Sequence, residues 1–190
     1  MFAGHFGLAA GVRAKAPEVP LWALMAATQL LDVAFIPFLA AGVETMEEET
    51  GSGYGDWIIH ADYTHSLLGA IVLAVLAGML AKKLWGAKSG RVIGLVVFSH
   101  WLLDLVVHRA DMPLLPGNLG DLPLLGLGAW KVEGIAIGLE SILIAAGLIM
   151  YTRAVLKTAG SGRRMTAYLS SAVMGVLLAL TLLSDVLGWF

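Results

Sequence analysis

Apolar runs of about twenty residues dominate the chain, at 21–43, 63–84, 92–108, 130–151 and 168–189. Coiled as an α-helix, a run of that length matches the ~30 Å hydrocarbon slab of a bilayer. In lipid every backbone N–H and C=O must find its partner within the protein, so such runs pack as a helix bundle. The expected fold is all-α, a polytopic membrane bundle of about five transmembrane helices forming one integral-membrane domain over residues 1–190. Residues 1–12 are apolar but too short to span, and are expected as a half-helix that inserts or lies on the surface. Composition agrees: 58% of residues are hydrophobic and 14% charged, with a mean hydropathy of +0.83.

There is no cysteine. Disulfides and thiolate-held zinc or iron–sulfur groups are excluded, and any metal must be held by His, Asp or Glu. No basic run is interleaved with aromatics, so nucleic acid is not an expected partner. The first apolar stretch is followed, not preceded, by Arg13 and Lys15, unlike a secretory signal peptide.

Basic residues set an orientation. Arg13, Lys15, Lys82, Lys83, Lys88, Arg91, Arg153, Lys157, Arg163 and Arg164 fall at one end of the spans, and only Arg109 and Lys131 at the other. The positive-inside rule places the first group in the cytoplasm. The acidic 44–62 loop and the 111–128 loop are then outside. The second holds Pro113, Pro116, Pro123 and four glycines. It cannot be a regular helix and is expected to cap the bundle or re-enter it.

Ionisable residues interrupt the apolar runs. His100, Asp104 and His108 are spaced by four, which puts them on one helical face. Ionisable groups inside a span are costly and mark functional sites by default. Counting helical rise, Asp32 lies about 16 Å above Leu21, His100 about 14 Å and Asp104 about 20 Å above Arg91, His5 about 12 Å above Arg13, and Glu140 about 20 Å above Arg153. His65 and His108 come out at about 25 Å, beside Asp62 and Asp111. Two tiers are therefore expected, one at mid-membrane and one at the outer mouth.

Imidazole and carboxylate together suit zinc, with manganese as the alternative. The expected ligands are His65, His100 and Asp104, with Asp32 and His5 as further candidates. His60 or His108 is expected to move protons. Glu140 either completes the inner tier or hydrogen-bonds a neighbouring helix as a neutral acid, and Asp185 is read as interfacial. Structural readings stand beside these: a His100–Asp104 bond that locks helices together, and Asp62 or Thr64 as a helix cap. The pairs Gly90/Gly94 and Gly134/Gly138 are read as close helix packing.

These motifs, taken in order, resemble bacterial inner-membrane proteins described as membrane-bound metal-dependent hydrolases. The resemblance rests on His5, on Asp32 in the first span, on Thr64-His65-Ser66, on Ser99-His100 with Asp104, and on the loop containing Met112 and Pro116. It covers roughly residues 1–117. One carboxylate, Asp32, stands where that family shows two, and His60-Ala61-Asp62-Tyr63 replaces its His-Arg-Gly. The resemblance implies a metal-dependent hydrolase in the inner membrane. A lipid or phosphate-ester substrate near the outer leaflet is the reading that goes with it, with membrane lipids as surroundings. The other function classes open at this point are an ion, proton or small-molecule transporter and a non-catalytic metal- or cofactor-binding subunit of a larger complex. A haem between His65 and His100 is disfavoured by their expected height difference of about 11 Å.

Overall fold

The computed structural model describes residues 1–48 and 57–187. The glycine-rich stretch 51–55 and the expected end of the last span at 188–189 lie outside them. The elements are α1 (Phe2–Lys15), α2 (Leu21–Thr28), α3 (Leu30–Ala40), β1 (Thr45–Glu48), β2 (Trp57–His60), α4 (Leu67–Val107), α5 (Glu133–Thr158) and α6 (Arg164–Val186). Among the described residues, α4, α5 and the α6 segment are long and apolar enough to cross a membrane, and the bent pair α2–α3 would make one more span.

The 41-residue α4 doubles back on itself. Gly86 has φ 86° and ψ 170°, a conformation open in practice only to glycine. A Cβ built on Gly78 would lie 3.0 Å from the Gly90 carbonyl and 3.5 Å from the Gly94 Cα. In a straight helix Gly78 and Gly90 would be about 18 Å apart. Residues 67–85 and 87–107 are therefore two antiparallel arms, each close to the ~20 residues that a span requires. Only one residue makes the turn between the 63–84 and 92–108 runs, because glycine at 86 reverses the chain without a loop. Gly90 and Gly94 do mediate close packing, here against Gly78 and Ala74.

Helix α1 lies inside the bundle. Gly4, Gly7, Ala10 and Gly11 are buried. Contacts with α5 advance in step: Gly4 meets Leu143, Gly7 meets the backbone of Leu143 and Ile144, and Gly11 meets Gly147 and Met150. The two helices therefore run parallel, and Arg13 and Lys15 reach the same end as Arg153 and Lys157. Glu18 after α1 pairs with Lys88 beyond the Gly86 turn at 2.9 Å. The hydrogen bond from Lys88 holds the exposed Glu18 carboxyl below its ordinary value. The basic residues flagged in the sequence thus gather at one end. The glycines at 134 and 138 do not pack as expected, since a Cβ at either would meet nothing within 4 Å.

Other boundaries shift. The 21–43 run is bent by 49° between α2 and α3. The expected polar loop 44–62 contains an antiparallel hairpin pairing Thr45 with His60 and Met46 with Ile59. Helix α5 runs on to Thr158 and α6 starts at Arg164, so the basic linker between the last spans is mostly helical.

The 111–128 loop caps both ends of the α4 hairpin. Leu67 N–H donates to the Pro113 carbonyl at 3.0 Å and Leu68 N–H to that of Leu114 at 3.1 Å. These are among the N–H groups that a helix start leaves unpaired. At the other end, Leu127 N–H donates to the Leu105 carbonyl at 2.8 Å and Gly128 N–H to that of His108 at 2.7 Å. An apolar, non-helical loop tolerates membrane depth only with its backbone satisfied in this way.

Candidate metal centre

Asp104 is the hub of a buried cluster. Its Oδ2 lies 2.9 Å from His100 Nε2, 3.7 Å from His65 Nε2 and 4.0 Å from His108 Nε2. Its Oδ1 lies 3.1 Å from His5 Nε2. Asp32 Oδ1 stands 3.3 Å from His65 Nε2 and 3.4 Å from His100 Nε2. The five expected ligands thus meet at one place, together with His108.

The expected two tiers do not exist. The rings of His65 and His100 are 5.4 Å apart and those of His65 and His108 are 6.3 Å apart, so the height difference of about 11 Å is wrong. That height follows only for a helix that begins at residue 63. Instead His65 N–H donates to the Ala61 carbonyl at 3.1 Å, folding 61–65 into a turn that drops His65 into the bundle before the helix starts. Ser66, rather than Asp62 or Thr64, caps α4, its Oγ accepting from Gly69 N–H at 3.0 Å. Trp101 Nε1–H donates to the His65 carbonyl at 2.9 Å and ties that turn to the second arm.

The outer nitrogens of three imidazoles are already committed. His100 Nδ1 faces the Thr28 carbonyl at 2.7 Å. A carbonyl only accepts, so Nδ1 carries the proton. That carbonyl belongs to the last turn of α2, where the break at Gln29 leaves it outside the helical ladder. His65 Nδ1 faces Thr64 Oγ1 at 3.0 Å, and Oγ1 gives its own proton to the Glu44 carboxylate at 3.0–3.1 Å. His65 Nδ1–H is therefore also a donor. His108 Nδ1–H donates to Asp111 Oδ1 at 3.0 Å. A neutral ring in each case leaves its lone pair on Nε2, the atom that faces Asp104 or Asp32.

This arrangement could hold a metal ion. His100 Nε2 is fully buried and has no hydrogen-bond partner, although a carboxylate oxygen lies 2.9 Å away. Two lone pairs at that distance repel, and either a metal ion or a second proton on the ring removes the repulsion. The four imidazole–carboxylate separations run from 2.9 to 3.7 Å, and a tetrahedral site with bonds of ~2.05 Å has edges of ~3.3 Å. Outward N–H bonds to carbonyl, hydroxyl and carboxylate are the support that metal-bound histidines have. Two groups have the spacing to hold an ion: His5, His100 and Asp104, or Asp32, His65 and His100. Both need His100, which has one free lone pair, so the cluster suits one ion at a time. The second group has Asp104 Oδ2 as a fourth donor. His5 then acts from outside, donating from Nε2 to Asp104 Oδ1.

Two expected residues fall elsewhere. His60 is exposed on β2, paired with Thr45, and makes no polar contact with the cluster among the described residues. Glu140 does not complete the cluster: its Oε2 accepts from Gly4 N–H at 2.8 Å. Asp185 is not merely interfacial, since its Oδ2 accepts from Ala3 N–H at 3.0 Å. The pair caps the start of α1, where the helix dipole favours negative charge. Glu44 and Thr28 support the cluster through His65 and His100 without a motif that marks them in the sequence. Glu44, at the head of an acidic loop, reads as solvated, yet it is 1% exposed.

Only Asp32 opens to the surroundings, its side chain 41% exposed, against 6% or less for His65, His100 and Asp104. It sits in the first turn of α3, where the helix N-terminus stabilises a carboxylate.

Helices of this length and apolarity around a buried His/Asp cluster define a helical integral-membrane protein with a site able to hold a metal ion. The chain belongs to the YdjM inner membrane protein family, whose sequence profile matches residues 2–187. It is thus a protein of the bacterial inner membrane. Comparison with curated proteins and with solved structures returned no match.

Proposed function

We propose that the chain is a metal-dependent hydrolase of the inner membrane, acting on a lipid or phosphate-ester substrate that reaches the cluster on the Asp32 side. The observation that carries this reading is the buried His100 Nε2, 2.9 Å from a carboxylate and without a hydrogen-bond partner. Asp32, His65, His100 and Asp104 would hold the ion, zinc before manganese given two imidazoles and two carboxylates. The ion would supply Lewis-acid activation of water near neutral pH.

The chain's own residues do the rest. Thr28 and the Thr64–Glu44 pair fix the His100 and His65 rings. His5 holds the far oxygen of Asp104. His108 presents Nε2 to the same carboxylate, with Asp111 behind it to steady an imidazolium, and so is placed to accept a proton. The 111–128 loop keeps water off the hairpin ends. In this reading the basic ends of the spans are cytoplasmic and the loop faces outward.

Metal analysis of the purified protein tests the proposal. About one zinc or manganese per chain is expected in the wild type and none in His100→Ala or Asp104→Asn. Metal-free wild-type protein, prepared without chelator, would overturn it. Phosphate-ester turnover in mixed micelles that is lost with the metal then tests the catalytic half.

One observation favours ion translocation instead. The bend between α2 and α3 sets a helix N-terminus beside Asp32, as in the broken spans of transporters. Liposome flux that stops in Asp32→Asn, without hydrolysis in the wild type, would decide for it.

A further inference from the structure

A second feature lies on the lipid-facing side of the α4 hairpin, away from the cluster. Between the arms runs a groove of about 720 Å³, within the size range of ligand pockets. Its floor is formed where Gly78 and Gly94 let the arms approach, its walls include Ile71 and Leu95, and Lys82 and Arg91 close one end. From Ile71 to Lys82 is about 16 Å of helix. That is about half of a ~30 Å hydrocarbon core, so the groove covers one leaflet.

The cations sit at the polar end of that leaflet. Nearby Lys88 is engaged by Glu18 at 2.9 Å, but no ion pair engages Lys82 or Arg91 among the described residues. An apolar slot one leaflet deep, with two unpaired cations at its mouth, is complementary to one occupant in particular.

We propose that this groove binds an anionic phospholipid of the leaflet at the basic end, its acyl chain lying between the arms and its phosphate on Lys82 and Arg91. Clustered basic side chains beside spans recognise acidic headgroups in this way. The site is independent of the metal cluster and of its chemistry.

Native mass spectrometry of the detergent-purified chain tests it, with phosphatidylglycerol and phosphatidylcholine of identical acyl chains as probes. The wild type is expected to retain the anionic lipid about tenfold better, each cation contributing severalfold. Lys82→Gln with Arg91→Gln is expected to level the two lipids while helix content and melting temperature stay unchanged. Leu95→Trp, which fills the slot, is expected to weaken retention of both. Equal retention by the wild type, or a preference that survives the double substitution, overturns the proposal. So does a dimer of the chain that Leu95→Trp dissociates, since a second copy would then occupy the groove.

Discussion

The imidazoles of His5 and His100 stack face to face, their centroids 3.9 Å apart and their planes 14° from parallel. One ring comes from α1 and the other from the second arm of α4, so the stack joins α1 to the arm that carries Asp104. His5→Phe preserves a ring against His100 but removes the bond to Asp104 Oδ1. Metal affinity is expected to fall about 10–100-fold, the usual cost of an outer-shell partner. Competition against a chelator of known affinity measures it. Complete loss of metal would make His5 a ligand.

Glu44 accepts from the backbone N–H groups of Tyr63 and Thr64, both at 2.8 Å, and from the Thr64 hydroxyl. Glu44→Gln leaves an uncharged acceptor. Loss of about 1.5–3 kcal/mol of stability is expected, the worth of hydrogen bonds to a charged group, along with weaker metal binding through His65. Thr64→Val should weaken metal binding similarly, with less effect on unfolding. Thermal melts paired with chelator competition separate the two effects.

The glycines give a paired prediction. A Cβ on Gly147 would lie 1.9 Å from the Gly7 carbonyl oxygen, a backbone atom that cannot step aside. Gly147→Ala must push α1 off α5, costing about 1–3 kcal/mol or more and moving His5 away from Asp104. Gly138→Ala meets nothing and should stabilise α5 by about 0.5–1 kcal/mol. Unfolding in detergent should move the two variants in opposite directions.

Gly86 carries the reversal of α4. Gly86→Val puts a branched side chain at φ 86°, with a strain of about 1–3 kcal/mol. A lower melting temperature is expected together with weaker metal binding, because the first arm begins at the His65 turn and the second arm carries His100. An unchanged melting temperature would show that the turn adjusts at no cost.

The sequence made much of this legible. Apolar run lengths foretold the helices, and the basic residues foretold which helix ends share a side. His5, Asp32, His65, His100 and Asp104 stood out because each is an ionisable group within or beside an apolar run. Their arrangement was harder to read. Helical rise locates a residue only if it lies in the helix, and His65 lies in the turn before one. Glu44 was hidden because burial of a loop carboxylate depends on a turn that closes over it. The two glycine pairs of identical spacing, at 90/94 and 134/138, differ only in whether another helix lies opposite, which spacing does not encode.

The position of α1 has a consequence for how the protein is made. Part of the surface that encloses its N-terminal half belongs to α5 and α6, which follow the other elements in chain order. Helix α1 therefore has no finished seat until those two later helices are inserted. The cluster needs His5 against Asp104, so it closes fully only once α1 is seated, and an intact site reports assembly of the bundle through α6.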